Sequence, residues 1–314
     1  MIYREMPPIW DAAFRSHFYA RWGRESAVIA ARSREAEYPE FQQLLSVKAA
    51  FGGEEAYFVD GRRICVDDDT FLILNADRKY GSRISGVAPV HSFSIFFGPG
   101  LAEEVAAAVR RRAERLLDQP GEREAGTVEF SERLYEHDQS VTPVLKHIHR
   151  HIRAGFSDEL WLEEQLRFLL ERLLRLEARH ALAAEAVPSA RPATRKELYR
   201  RLGLAISFMH TNYRESLDLA AIASAAHLSP YHFLRTFKAV HGMSPSVYLN
   251  RKRVQVAMRL LRDTDHTMTA IAGYSGFGTR ATLFRHLRAA GYYAARADGD
   301  RVLDEVTDDL AATG

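Results

Sequence analysis

Between residues 41 and 97 the apolar positions come in short runs rich in Val, Ile, Phe and Tyr, at 56–59, 63–66, 70–74, 80–84 and 90–97. Turn residues separate the runs, and runs of this length with that punctuation predict β-strands. Asp60-Gly61 falls between the first two. An Asp-Gly pair supplies the two positive-φ positions of a tight hairpin turn. Several short strands so spaced predict a small antiparallel sandwich or barrel. Residues 1–40 follow neither period clearly, and Trp10, Phe14, Phe18, Tyr19 and Trp22 stand at loosely helical or turn-like spacing.

After Gly98-Pro99-Gly100 the apolar period lengthens to that of a helix. Residues 101–117 are acidic at their start and arginine-rich at their end, as a helix dipole prefers. Residues 118–127 are polar, with Pro120 and two glycines, and predict a loop. Two helices follow, at about 141–154 and 158–186. In the second, Leu162, Leu166, Leu169, Leu173 and Leu176 are spaced four, three, four and three, with Leu170 and Leu174 widening the stripe. That is the rhythm of a coiled-coil seam, so these five are the candidate dimerisation residues. Packing of the same stripe onto the sheet is the alternative. Residues 187–194 (VPSARPAT) have two prolines and no periodic apolar face, which marks a linker.

From there the chain is helical in pattern. A helix around 196–212 precedes LDLAAIASAAHLSPYHFLRTFKAVHGMSP, residues 217–245. Small residues at 220, 221, 223, 225 and 226 let a first helix pack closely, and Leu228 fills the corner. Ser229-Pro230 opens a second helix as N-cap and first-turn proline. Phe233 and Phe237, four apart, face inward, leaving Tyr231, Leu234, Arg235 and Lys238 on other faces. A helix, a short turn and a basic second helix suit major-groove reading. The pattern recurs at 268–288: Ile222-Ala223 and Leu228 match Ile271-Ala272 and Phe277 at a separation of 49. Phe233, Arg235, Phe237 and Lys238 match Leu283, Arg285, Leu287 and Arg288 at 50, one residue being inserted after the corner. Residues 246–261, with Arg251, Lys252 and Arg253, form a connecting helix.

Charge sharpens the picture. The net charge is only +2, but residues 191–296 hold seventeen Lys and Arg against five acids, while the rest of the chain is acidic. One strongly basic segment in an acidic chain points to a polyanion partner. The lone Cys65 excludes an internal disulfide and a four-cysteine zinc site, and it suits a reducing cytoplasm. No signal peptide or membrane span is expected.

With its two helix-turn-helix units, the chain resembles the AraC/XylS family of bacterial regulators. The resemblance rests on Phe237-Lys238, Gly242-Met243-Ser244-Pro245, Tyr248, Arg251, Arg253, Leu260-Leu261, Thr264, Ile271-Ala272 and Gly276-Phe277, within about 202–288. It implies that helices starting at Pro230 and near Thr279 enter successive major-groove segments. Tyr231, His232 and Arg235 in the first, and Arg280, Thr282 and Arg285 in the second, would then approach bases. Arginine suits guanine because its forked donors match O6 and N7. Lys238, Arg251 and Arg288 would hold phosphates, adding affinity without sequence information. One departure stands out. After Arg288 the chain lacks the proline that closes the first unit, Gly291 comes one residue early, and an acidic tail follows.

The resemblance further implies a cupin-like sensor and dimerisation half, so that the whole is an α+β chain. Its expected parts are a sensor and dimerisation domain at 1–186, the linker at 187–194, an all-α DNA-binding domain at 195–296 and an unstructured acidic tail at 297–314. The implied function is a ligand-responsive transcription activator, dimeric and cytoplasmic, with promoter DNA, a small-molecule effector and RNA polymerase as partners. The alternatives are the same module controlled by abundance or a partner protein, and an enzyme that carries the module for localisation. The enzyme lacks support: there is no nucleophile motif or phosphate loop, and the strand region has only His91 for a metal. No cofactor is expected. His147, His149 and His151 lie in a row, and the first and last could share a metal on a helix, but a solvated helix face is the simpler expectation. Tyr57, Phe58, Phe71, Tyr80, Phe93 and Phe96 could line a pocket or serve as plain core, so no ligand contact is assigned.

Overall fold

The computed structural model describes residues 1–117, 127–189, 191–294 and 303–304, in two units, Met1–Ser207 and Phe208–Gly314. The first unit opens with β1 (Ile2–Tyr3), helix α1 (Ala12–Arg21) and β2 (Ala27–Gln42). Then come β3 (Ser46–Phe51), β4 (Glu55–Val59), β5 (Arg62–Val66), β6 (Thr70–Leu74) and β7 (Lys79–Phe96). Helix α2 (Leu101–Leu117), β8 (Leu134–Glu136), α3 (Thr142–Arg153) and α4 (Glu159–Ala183) complete the order up to α5 (Pro192–Thr211).

The β4–β5 hairpin turns on Asp60 (φ +50°) and Gly61 (φ +72°), the left-handed pair that Asp-Gly promises. The sheet runs β1-β2-β7-β3-β6-β8, antiparallel except for the parallel β1–β2 edge. Strand β7 organises it: β2 pairs along one side of it, and β3 and β4 take successive stretches of the other. The sheet therefore curls, and alternate residues of one strand feed two cores. Val47, Phe71, Phe93 and Ile95 pack against α2, α3 and α4, whereas Tyr57, Leu72, Leu74, Tyr80 and Ile84 fill the inner face.

The chain departs from the sequence expectations in four places here. Of the uncertain residues 1–40, the part from Ala27 on is strand β2 while α1 takes Ala12–Arg21, and the expected runs at 80–84 and 90–97 are one strand, β7, continuous through Gly86 and Pro89. Leu162, Leu166, Leu169, Leu173 and Leu176 are each no more than 7% exposed inside the first unit's core. They face the sheet and α2–α3, so they offer no free seam to a second copy; the packing alternative is the structure. The helix expected near 196 begins at Pro192, inside the expected linker, and its first part belongs to the first unit. There Leu198, Tyr199 and Leu202 are buried, and the Leu134 amide donates to Ser207 Oγ at 2.9 Å.

The second unit is helical: the end of α5, then α6 (Leu219–Ala225), α7 (Pro230–His241), α8 (Pro245–Asp263), α9 (Met268–Tyr274) and α10 (Arg280–Ala289). The architecture is thus α+β, a curled sheet with helices followed by a helical unit. Beyond α10, Tyr293–Ala294 pairs antiparallel with Leu303–Asp304. Apart from those two residues, the acidic tail at 297–314 lies outside the described residues, as does most of the expected loop at 118–127. Among the described residues no helix is long and apolar enough to cross a membrane.

Candidate nucleic-acid interface

Capping residues set every helix of the second unit after α5. The side chains of Asp218, Ser229, Ser244, Thr267 and Thr279 accept amide hydrogens at the starts of α6 to α10. Each satisfies a donor that the first turn leaves free. The two corners repeat in detail. The Leu228 amide donates to the Ala223 carbonyl at 3.0 Å, and the Phe277 amide to that of Ala272 at 2.9 Å. His227 (φ +52°) and Gly276 (φ +81°) make the left-handed step in each. The inserted residue is Gly278, a second left-handed position (φ +72°) just before the Thr279 cap. It restores the register, so that Phe233 and Leu283, fifty residues apart, are both fully buried.

Burial of Phe233, Thr236 and Phe237 fixes which side of α7 faces out. Tyr231 is 76% exposed, and His232, Arg235 and Lys238 are exposed beside it. Leu283 and Leu287 do the same for α10, leaving Arg280, Arg285 and Arg288 outside. Among the described residues none of Arg235, Lys238, Arg285 and Arg288 has a carboxylate partner, so their charge is uncompensated. The Arg280 guanidinium lies 5.2 Å from the Phe284 ring centroid. Thr282 is half-buried, and its hydroxyl accepts from Thr279 Oγ1 at 2.9 Å.

Of the three basic residues at 251–253, only Arg251 is exposed. Lys252 is buried, its ammonium 5.4 Å from the Tyr213 ring, and Arg253 donates to the carbonyls of Tyr213 (2.8 Å) and Glu215 (2.7 Å). The basic run at 251–253 of α8 is therefore mostly structural. Val254 and Ala257 pack with Ile271, Ala272, Phe277, Leu283 and Leu287, and Tyr248 meets the Phe237 ring at 5.7 Å, so α8 serves both copies. Helix α10 stops at Ala289, and the Tyr292 amide returns to the Leu287 carbonyl at 2.9 Å. That is how the chain ends the second copy without the proline of the first.

The first unit holds a second candidate site, which the sequence pattern did not mark. Inside the sheet lies a cavity with about 50 Å³ open to the centre of a water-sized sphere. Tyr57, Tyr80 and Phe96 line it; of the aromatic residues considered for a pocket, Phe58, Phe71 and Phe93 do not. Two opposite charges line it as well, Lys48 (1% exposed) and Glu55 (2%). The Lys48 ammonium sits 3.5 Å from the Phe96 ring centroid and 5.1 Å from that of Tyr80. Burial pushes the Lys48 ammonium well down, opposed by the Glu55 charge, and the Glu55 carboxyl up, opposed first by a hydrogen bond from Ser92 and then by the Lys48 charge. Glu55 Oε2 and Gln43 Oε1 are buried without a hydrogen-bond partner in the protein. The available signal was a lysine inside the apolar run SVKAAF, where strand alternation turns Lys48 inward with Ser46.

The histidine row is not a solvated face. His147, His149 and His151 are all half-buried, and His149 stacks on Phe51 with ring centroids 4.7 Å apart. No group of three or more metal-ligating side chains occurs among the described residues.

Residues 222–290 match the family described as a helix-turn-helix domain. The chain is 40% identical over 67 residues to the HTH-type transcriptional regulator Rv1931c of Mycobacterium tuberculosis, covering 21% of this chain and 26% of that one. It is 35% identical over 79 residues to an AraC-like transcription regulator of Streptomyces antibioticus, covering 25% and 26%. The matched part thus spans about a quarter of each relative's length. The crystal structure of the AdpA DNA-binding domain in complex with a target DNA is 30% identical, covering 28% of this chain and 79% of that one, with a TM-score of 0.27. The doubled motif at 222–290, capped and cornered alike in both copies, is an AraC-type helix-turn-helix module.

Proposed function

We propose that the chain is a sequence-specific DNA-binding transcription regulator, laying α7 and α10 in two successive major-groove segments of a promoter. The observation that carries this reading is the repeated unit itself: two equally capped helices, each with arginines left outward and unpaired. Tyr231, His232 and Arg235 on α7 and Arg280, Thr282 and Arg285 on α10 face base edges, where a forked guanidinium discriminates guanine. Lys238, Arg251 and Arg288 hold phosphates. The cavity around Lys48 and Glu55 favours control by a small-molecule effector over control by abundance alone. Activation through RNA polymerase, a dimeric state and a cytoplasmic site of action are proposed on family resemblance, the dimer through a surface other than the five core leucines.

The test is binding of the purified protein to the DNA upstream of its own gene and to random-sequence selections, titrated with salt. Wild type should bind a specific site that weakens steeply with salt. Arg235→Ala and Arg285→Ala should each lose about 1–3 kcal/mol on that site only. Absence of a preferred sequence, with and without metabolite extract, would overturn the reading.

A further inference from the structure

We propose that the cavity of the first unit receives a short amino-acid zwitterion, its carboxylate held by Lys48 and its ammonium by Glu55. This deepens the effector reading above and rests on it.

An ammonium without an acceptor and two oxygen atoms without a donor, all on one small cavity, carry the argument. Lys48 Nζ has aromatic rings around it and, among the described residues, neither a hydrogen-bond acceptor nor a carboxylate within ion-pair distance. Gln43 Oε1 and Glu55 Oε2 lack a donor, while the rest of the Glu55 carboxylate is met by the Ser92, Ser82 and Tyr57 hydroxyls. A buried charge is costly unless it is paired and hydrogen-bonded. Strands β3 and β4 nevertheless place two opposite charges on the same cavity without joining them in a contact pair. An occupant that bears one charge satisfies one of them and leaves the other dry. A neutral polyol satisfies neither as a charge. A molecule with an ammonium at one end and a carboxylate at the other meets both and keeps the filled cavity electrically neutral. Its ammonium has a second acceptor in Gln43 Oε1.

Size narrows the class. The roughly 50 Å³ of open space corresponds to about four water-sized groups. Short zwitterions of about five to seven non-hydrogen atoms lie nearest to that space. Glycine, β-alanine and 4-aminobutyrate span this range, whereas amino acids with aromatic side chains exceed it. The walls of Phe96, Tyr80 and Tyr57 suit a short methylene spacer between the charged ends.

The experiment is calorimetric titration of the full-length protein, without DNA, with those three zwitterions and with propionate, propylamine and propionamide. At least one zwitterion should bind at least about tenfold more tightly than each singly charged or neutral probe. Lys48→Met and Glu55→Gln should each weaken it at least about tenfold, with folding followed by circular dichroism. Because either change strands a buried charge, the double variant Lys48→Met/Glu55→Gln is the cleaner control. It should fold and lose the preference for zwitterions altogether. Zwitterions that bind no better than propionate or propylamine, or a double variant that keeps the preference, would overturn the proposal. A wider thermal-shift screen separates the two readings. If compounds lacking both charges raise the melting temperature, the effector reading stands and the zwitterion falls. If a zwitterion binds without changing DNA affinity, the ligand class stands and its regulatory role falls.

Discussion

Arg253 Nε donates to the Tyr213 carbonyl oxygen at 2.8 Å, fastening the connecting helix α8 to the turn after α5. Gly276 stands against the same carbonyl. A Cβ there would lie 2.3 Å from Tyr213 O and 3.0 Å from Arg253 Nε, on a backbone with φ +81°. Gly278, two residues on, has φ +72° but open space around it. Gly276→Ala should therefore cost the strain of a left-handed alanine, about 1–2 kcal/mol, plus a backbone clash. Gly278→Ala should cost the strain alone. Thermal unfolding of both variants checks this, and equal losses would remove the close approach as a cause.

Lys238 and Arg288 occupy equivalent places on α7 and α10, both exposed and without carboxylate partners among the described residues. Their proposed phosphate contacts differ in signature from base contacts. Lys238→Gln and Arg288→Gln should each weaken binding to every DNA sequence alike and lower the slope of log affinity against log salt by about one. A loss confined to the preferred site would move these residues into the base-reading set.

The helix-turn-helix half was legible because its instructions are local: Ser229-Pro230 caps, Phe233 and Phe237 point inward, and the pattern repeats. The Asp60-Gly61 turn was legible for the same reason. Strand β2 was not. AVIAARSREAEYPEFQ is rich in Ala, Glu and Arg, several of its side chains are exposed, and its partner β7 starts 37 residues after it ends. Such pairing is non-local, and a period in one segment does not announce it. The leucine stripe of α4 shows the opposite failure. Its spacing states that a face is buried but not what buries it, and the sheet with α2 and α3 does so here. Lys48 and Glu55 were hidden because a lone charge in a short strand is ordinarily expected to face solvent.

Acid should loosen the first unit through His149. Burial, with Arg153 and His91 repelling the added charge, holds its imidazole down to about 4 against the ordinary 6.5. The unfolded chain thus takes up a proton that the folded chain refuses. The stability tied to this residue is complete above pH 6.5 and declines as the pH falls toward 4. His149→Phe keeps the stacking on Phe51 and Phe93 and removes the titration. Its melting temperature should fall less steeply between pH 7 and 4 than that of wild type. The remaining slope belongs in part to His180, held down to about 3 chiefly by burial and then by Arg133 and Arg179. Parallel curves would mean that His149 is already open to solvent.

Helix α4 offers a test of what its leucines do. Leu169 is fully buried in the first unit's core, while its neighbour Phe168 is 40% exposed with the Arg172 guanidinium 4.6 Å from its ring. A core role makes Leu169→Ala cost about 2–5 kcal/mol, through lost transfer energy and the cavity left behind. That loss should appear in the monomer and not depend on protein concentration. Phe168→Ala should cost under about 1 kcal/mol. Melting measured over a hundredfold range of concentration, together with sedimentation equilibrium, separates the two roles of the stripe. A seam between copies would make the Leu169→Ala defect shrink as concentration rises, because association would offset it by mass action. A core residue gives the same defect at every concentration, and the burial of all five leucines within one chain requires that result.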